Sequence, residues 1–181
     1  MKDVIDSACR QLDTPAVSAV PPEIRIVPAS EHDTPLIVSF IHRLAEYERM
    51  AEVCVATEDS IRRTLFGDNP AAEVIFAYSG DDPVGFALFF HNYSTFLAQR
   101  GLYLEDLFVI PEARGKGVGY ALLSALAKIA VERNCGRLEW AVLEWNQLAI
   151  DFYLRLGAMP LEGWDTYRLS GEPLTRLAKS V

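Results

Sequence analysis

The segment Arg114-Gly115-Lys116-Gly117-Val118-Gly119 constrains the fold of this chain more than any other. It separates an apolar run, Leu102–Ile110, from a run with helical periodicity, Val118–Val131. Strand, glycine turn and helix start in that order leave several backbone N–H groups unpaired at the positive end of the helix dipole. Donors arranged in this way take phosphate oxygens. Arg114 and Lys116 add charge, and the glycines let the backbone come close to a ligand. The segment reads as the binding loop for a pyrophosphate-bearing cofactor. The competing reading is a glycine turn with solvated charges.

Two common phosphate loops do not fit. A P-loop ends in Lys followed by Ser or Thr, and this segment continues Gly119-Tyr120-Ala121. A dinucleotide-binding fingerprint needs a third glycine three positions after the second, where Tyr120 and Leu122 stand. That fold also places its loop after the first strand, and here the loop begins only at Arg114.

The 181 residues are 50% hydrophobic, enough for one sizeable core. No apolar run reaches the length of a membrane span, and Met1–Pro22 carries Lys2, Asp3 and Asp6 without a signal-type apolar core. Residues 1–22 read as an arm or linker and residues 23–181 as the single domain. A net charge of −8, with no basic stripe, argues against nucleic acid and anionic membranes as partners and suits a cationic substrate. Cys9, Cys54 and Cys135 form no CxxC motif and read as free thiols of a reducing compartment, the cytoplasm. His32, His42 and His91 are too scattered for a metal site, so no metal is expected.

Ile24–Val27 reads as a first strand. Ser30 or Asp33 caps a helix carrying Leu36, Ile37, Phe40, Ile41 and Leu44 at helical spacing, and a second helix covers Thr57–Leu65. Glu73–Tyr78 and Val84–His91 form a hairpin across Ser79–Pro83, and Leu102–Ile110 is the third strand of that meander. After the helix Val118–Val131, stopped by Asn134-Cys135-Gly136, a strand is expected at Arg137–Leu143. Asn146 caps a short helix that ends at Gly157, and Tyr167–Leu169 and a terminal helix near Glu172–Lys179 follow. Antiparallel strands followed by a strand–helix–strand crossover describe an α/β (α+β layered) domain with its ligand loop in the middle.

The spacing Arg114-x-x-Gly117-x-Gly119 resembles the acetyl-CoA pyrophosphate loop of the GNAT N-acetyltransferases. Leu44-Ala45-Glu46-Tyr47-Glu48, Val84–Ala87, Tyr103-Leu104-Glu105-Asp106, Glu144-Trp145-Asn146, Phe152-Tyr153 and Glu162-Gly163-Trp164 extend the resemblance to the diamine (spermidine/spermine) acetyltransferases and their thialysine-acetylating relatives. It runs in order from about Ile24 to Leu177. It implies the GNAT fold, a mixed central sheet with helices on both faces, together with a homodimer and direct acetyl transfer from acetyl-CoA to a primary amine of a small polyamine or diamine. The alternatives are a thialysine- or amino-acid-type amine acetyltransferase and a non-catalytic acyl-CoA-binding sensor.

Such a transfer requires an ammonium with a pKa near ~10 to lose its proton, a donor for the tetrahedral oxyanion and an acid for the departing thiolate. Glu105 and Asp106 interrupt an apolar strand, so at least one acid faces a layer that packing alone would fill with aliphatics. An ion pair would explain this equally, but the resemblance implies Glu105 as the base, acting through water, with Asp106 setting charge at the amine. By periodicity Tyr153 is a core residue of its helix; by resemblance it is the general acid. Asn146 reads as a cap and, by resemblance, as a cofactor contact. The resemblance also implies pantetheine pairing along Leu107-Phe108-Val109, phosphate contacts over Arg114, Gly115, Lys116, Gly117, Val118 and Gly119, and an amine channel at Tyr47, Glu48, Glu139, Trp140 and Glu162. Each of these acids read alone is a solvated surface carboxylate. One departure stands out: Tyr93–Arg100 lacks the tryptophan common in polyamine enzymes, and Arg100 near the mouth would repel a cation.

Overall fold

The computed structural model describes residues 23–180; the expected arm, residues 1–22, lies outside them. Five strands form one sheet in sequence order: β1 Ile24–Pro28, β2 Glu73–Ser79, β3 Asp82–Ser94, β4 Gln99–Val109 and β5 Leu138–Trp140. Neighbours pair antiparallel except β4 and β5, which are parallel. Parallel neighbours need a crossover, and α3, Val118–Glu132, supplies it. α1, Thr34–Tyr47, and α2, Glu58–Leu65, precede the meander. The chain divides into two compact units, the first running to Ala141 and the second starting at Val142.

Short polar boxes start the early helices. The Ser30 backbone N–H and hydroxyl both donate to Asp33 Oδ2, at 2.7 and 2.8 Å, closing a 3-10 turn that runs into α1. Thr57 and Ser60 cap α2 reciprocally, with Ser60 N–H donating to Thr57 Oγ1 at 3.2 Å. α1 and α2 bury Ile37, Phe40, Leu44 and Leu65 against Val74, Phe76, Phe86 and Phe108 of the sheet. Phe40 is the hub, with ring centres 5.3 Å from Phe86, 5.9 Å from Phe76 and 6.2 Å from Phe108. Gly85, next to Phe86 and so on the opposite face, receives Val118 and Leu122 of α3. Helices therefore cover both faces, as expected.

The turn between β3 and β4 is short, since β3 reaches Ser94 and β4 begins at Gln99. Two expectations need correction. The strand expected at Arg137–Leu143 contains only Leu138–Trp140, paired with Leu102–Leu104. Its remaining residues have strand-like composition but no ladder partner, and a strand needs one. In the second unit, which holds α4, Gln147–Arg155, and α5, Gly171–Ala178, Tyr167–Leu169 lies in an irregular exposed stretch for the same reason.

Gly85 sets how closely α3 approaches the sheet. A Cβ there would stand 2.9 Å from the Phe108 carbonyl oxygen and 3.2 Å from Val118 Cγ1. Gly85→Ala should therefore push the first turn of α3 away from β4 and cost about 1–3 kcal/mol, as overpacking does. Thermal unfolding of the variant checks this, and an unchanged midpoint would contradict the account.

Candidate active site

The site is organised by an irregularity in β4. Leu88 of β3 pairs with Asp106, but the next β3 residue, Phe89, pairs with Leu104. Glu105 is thus an extra residue without a cross-strand partner, a β-bulge. Pairing with β5 reaches only Leu104↔Trp140, so among the described residues β4 from Glu105 to Val109 has no paired strand on that edge. Ile110 N–H bonds the Val84 carbonyl of β3 at 3.0 Å. By alternation, Leu107 and Val109 turn their N–H and C=O groups to the open edge.

Carboxylates gather along this strand. Asp106 is half-buried, and burial, followed by the negative charges of Glu105 and Glu48, pushes its carboxyl up to about 6. Glu48, also half-buried, has its own carboxyl raised by burial. It caps the end of α1, where Arg49 adopts φ 62° and Met50 N–H turns back to the Ala45 carbonyl at 2.7 Å. That left-handed residue turns the chain at the end of α1, next to Glu48. Burial, then Glu105 and Glu139, raise the Tyr103 phenol. Glu105 itself is exposed and acts on both neighbours, so Glu48, Asp106, Glu105 and Glu139 form one electrostatically connected row.

The far end of the row is partly neutralised. Asn92 Nδ2 donates to Glu139 Oε2 at 2.8 Å, and Arg137 Nε lies 2.7 Å from the same oxygen as an ion pair. The Asn92 partner was not visible in the sequence, because it lies 47 residues from Glu139, whereas Arg137 stands only two positions before it. Trp140 is half-buried at the last paired position of β5.

At the other end of the open edge lies the glycine loop. Gly115 and Gly117 have φ of 73° and 82°, in the left-handed region that favours glycine. Gly117 is the N-cap of α3, no side chain caps that end, and the first bond into the helix is Ala121 N–H to the Gly117 carbonyl at 2.9 Å. The N–H groups of Val118, Gly119 and Tyr120 precede that bond at the positive end of the dipole. This set of donors fits a pyrophosphate. Lys116 is exposed. Arg114 is anchored: its Nε donates to the Val109 carbonyl at 3.0 Å, and its guanidinium carbon lies 4.3 Å from the centre of the Tyr47 ring.

The second unit carries the remaining expected residues. Asn146 caps α4, its side chain accepting from Ala149 N–H at 3.3 Å. Tyr153 is half-buried beside Phe152, with ring centres 5.3 Å apart, and burial pushes its phenol up to about 12. Glu162 is exposed in the irregular stretch before α5. Among the described residues, no three His, Cys, Asp or Glu side chains gather as a metal-binding group, and no helix is long and apolar enough to cross a membrane.

Comparison with known proteins places the chain among acetyltransferases. Over 166 residues the chain is 37% identical to a thialysine N-epsilon-acetyltransferase of Bos taurus, covering 86% of this chain and 97% of that one. It is 34% identical over 160 residues to a spermidine/spermine N(1)-acetyltransferase-like protein 1 of Homo sapiens, covering 83% of this chain and 23% of that longer one. An integron cassette protein from the mobile metagenome of V. cholerae superposes with a TM-score of 0.74 at 30% identity, covering 88% of this chain and 99% of that one. Residues 40–158 match the model of the acetyltransferase (GNAT) family. That match spans well over half of the sequence, and the chain belongs to the acetyltransferase (GNAT) family.

Proposed function

We propose that this N-acetyltransferase moves acetyl directly from acetyl-CoA to a primary amine of a small diamine or polyamine. The observation that carries the reading is the carboxylate row Glu48, Asp106, Glu105 and Glu139 beside the open edge of β4. A row of negative charge attracts a flexible cation, and an unpaired strand edge offers amide-pairing groups to pantetheine. The loop from Arg114 to Gly119 takes the pyrophosphate. Glu105 accepts the ammonium proton through water, freeing the nitrogen lone pair to attack the thioester carbonyl. Backbone N–H groups of the β4 edge stabilise the oxyanion. As the C–S bond breaks, Tyr153 gives its proton to the thiolate; a phenol raised to about 12 holds that proton throughout the neutral range. The resemblance further supports a homodimer in the cytoplasm.

A second reading is favoured by the ion pair at Glu139. With Arg137 and Asn92 holding that carboxylate, the row ends beside a cation, which suits an amino acid carrying both a side-chain amine and a carboxylate. The thialysine-acetylating relative accords with it. Both readings require a second charge on the substrate.

Three experiments test the proposal. Glu105→Gln keeps the shape but cannot accept a proton, so turnover should fall more than acetyl-CoA affinity. The wild type should prefer a diamine to a monoalkylamine of equal length, with a preference that shrinks as salt is raised. A monoamine that wins at both ionic strengths, or a fully active Glu105→Gln, would refute the respective assignment. Tyr153→Phe should keep the fold and acetyl-CoA binding while losing ~100- to 10,000-fold in rate. Wild-type turnover would return Tyr153 to a packing role.

Asp106 gives a pH signature of fixed sign. Its folded pKa is raised, so the stability it favours is complete below the ordinary value of 3.8 and is lost as pH rises through about 6. Asp106→Asn should therefore stabilise the protein at pH 8 by on the order of 2–3 kcal/mol and hardly at all near pH 3. In the wild type, kcat/KM for a cationic amine should rise through about pH 6 as Asp106 ionises, and that limb should flatten in Asp106→Asn. Equal gains in stability at both pH values would contradict this.

A further inference from the structure

Tyr47 falls on the amine side by resemblance, yet its ring meets the cofactor loop. The Arg114 guanidinium carbon lies 4.3 Å from the Tyr47 ring centre and 5.7 Å from that of Phe108, and the Tyr47 and Phe108 rings are 6.3 Å apart. Arg114 Nε is tied to the Val109 carbonyl, an acceptor on the open edge of β4. One face of the guanidinium and one donor are thus engaged, while four of its five N–H donors belong to the terminal amino groups. An unrestrained arginine loses rotamer freedom when it meets an anion, and anchoring it beforehand removes that cost.

We propose that Tyr47 is a positioning residue for acyl-CoA binding. Its ring seats the Arg114 guanidinium at the end of the open β4 edge, so the charge stands ready beside the glycine loop before a pyrophosphate arrives. This rests on the reading of Arg114–Gly119 as the pyrophosphate loop. The seat is built on a fixed support. Tyr47 is the last residue of α1, just before Glu48 and the left-handed Arg49, and Phe108 belongs to the buried core around Phe40. The end of α1 therefore serves both halves of the reaction: Tyr47 holds the cofactor-side cation, and Glu48 raises the carboxyl of Asp106 on the amine side.

The test is acetyl-CoA titration without amine, by calorimetry, on variants whose thermal midpoints are recorded. Tyr47→Leu should weaken binding about 3- to 30-fold, the span of cation–π contacts from exposed to desolvated. Tyr47→Phe, which keeps the ring, should restore affinity to within about twofold of wild type. Arg114→Lys loses the planar face and the Nε bond and should weaken binding similarly. The Tyr47→Leu/Arg114→Lys double variant should be no weaker than the worse single variant, because the two changes remove one interaction. At saturating acetyl-CoA, Tyr47→Leu should change kcat much less than it changes acetyl-CoA affinity. Wild-type acetyl-CoA affinity in Tyr47→Leu, a loss confined to the KM for the amine, failure of Tyr47→Phe to restore affinity, or additive losses in the double variant would each overturn the proposal. Gly117→Val separates the two levels. If it binds acetyl-CoA as wild type does, the loop reading fails; if it loses binding while Tyr47→Leu does not, the seat alone fails.

Discussion

One unpaired residue, Glu105, governs the geometry of the first unit. By adding a residue to β4 opposite Leu88 and Phe89, the bulge separates a half of the strand that pairs with β3 and, at Leu102–Leu104, with β5 from a half whose outer edge has no paired strand among the described residues. Bulges bend a strand and increase its twist, and β5 pairs with β4 over only the three residues before this one. The same irregularity displays two successive acids at the point where pairing ends. Backbone donors and proton-accepting carboxylates are thereby brought to one place without any loop being needed to carry them.

The two ends of the free edge differ in charge. Toward the α3 loop stand Arg114, Lys116 and the uncapped N–H groups of the helix. Along the strand and from α1 come Glu105, Asp106 and Glu48, with the Asp106 carboxyl pushed up to about 6 by burial and its acidic neighbours. An anionic thioester carrier and a cationic amine can therefore be drawn to opposite ends of one strand. Direct transfer needs this division, because no group of the enzyme has to carry the acetyl if both substrates are bound together. Phe108 ties the two ends to the core, since it packs on Phe40 and lies near Arg114.

Much of this was legible in the sequence because it is local. The start of α3 at Val118, the start of α2 at Thr57, the Asn146 cap and the turn at Ser79–Asp82 follow from side chains only a few positions apart. What was not legible depends on partners distant in sequence. Alternation alone puts Glu105 and Asp106 on opposite faces; only the register against β3 reveals the bulge. Strand-like composition extends Arg137–Leu143 further than β4 can pair with it. Glu139 reads as an available acid until Asn92 is seen beside it. Tyr47 and Arg114 carry no sequence signal that they stack, because a cation–π contact needs only proximity in the fold.

The central claim is that loop and strand edge hold both substrates at once and acetyl passes directly between them. Initial-rate kinetics varying acetyl-CoA and a diamine together test it most directly, with thiol release as the readout. The account predicts double-reciprocal lines that intersect, as a ternary complex requires. Parallel lines, together with thiol released stoichiometrically from acetyl-CoA before any amine is added, would reveal an acetyl-enzyme and contradict it.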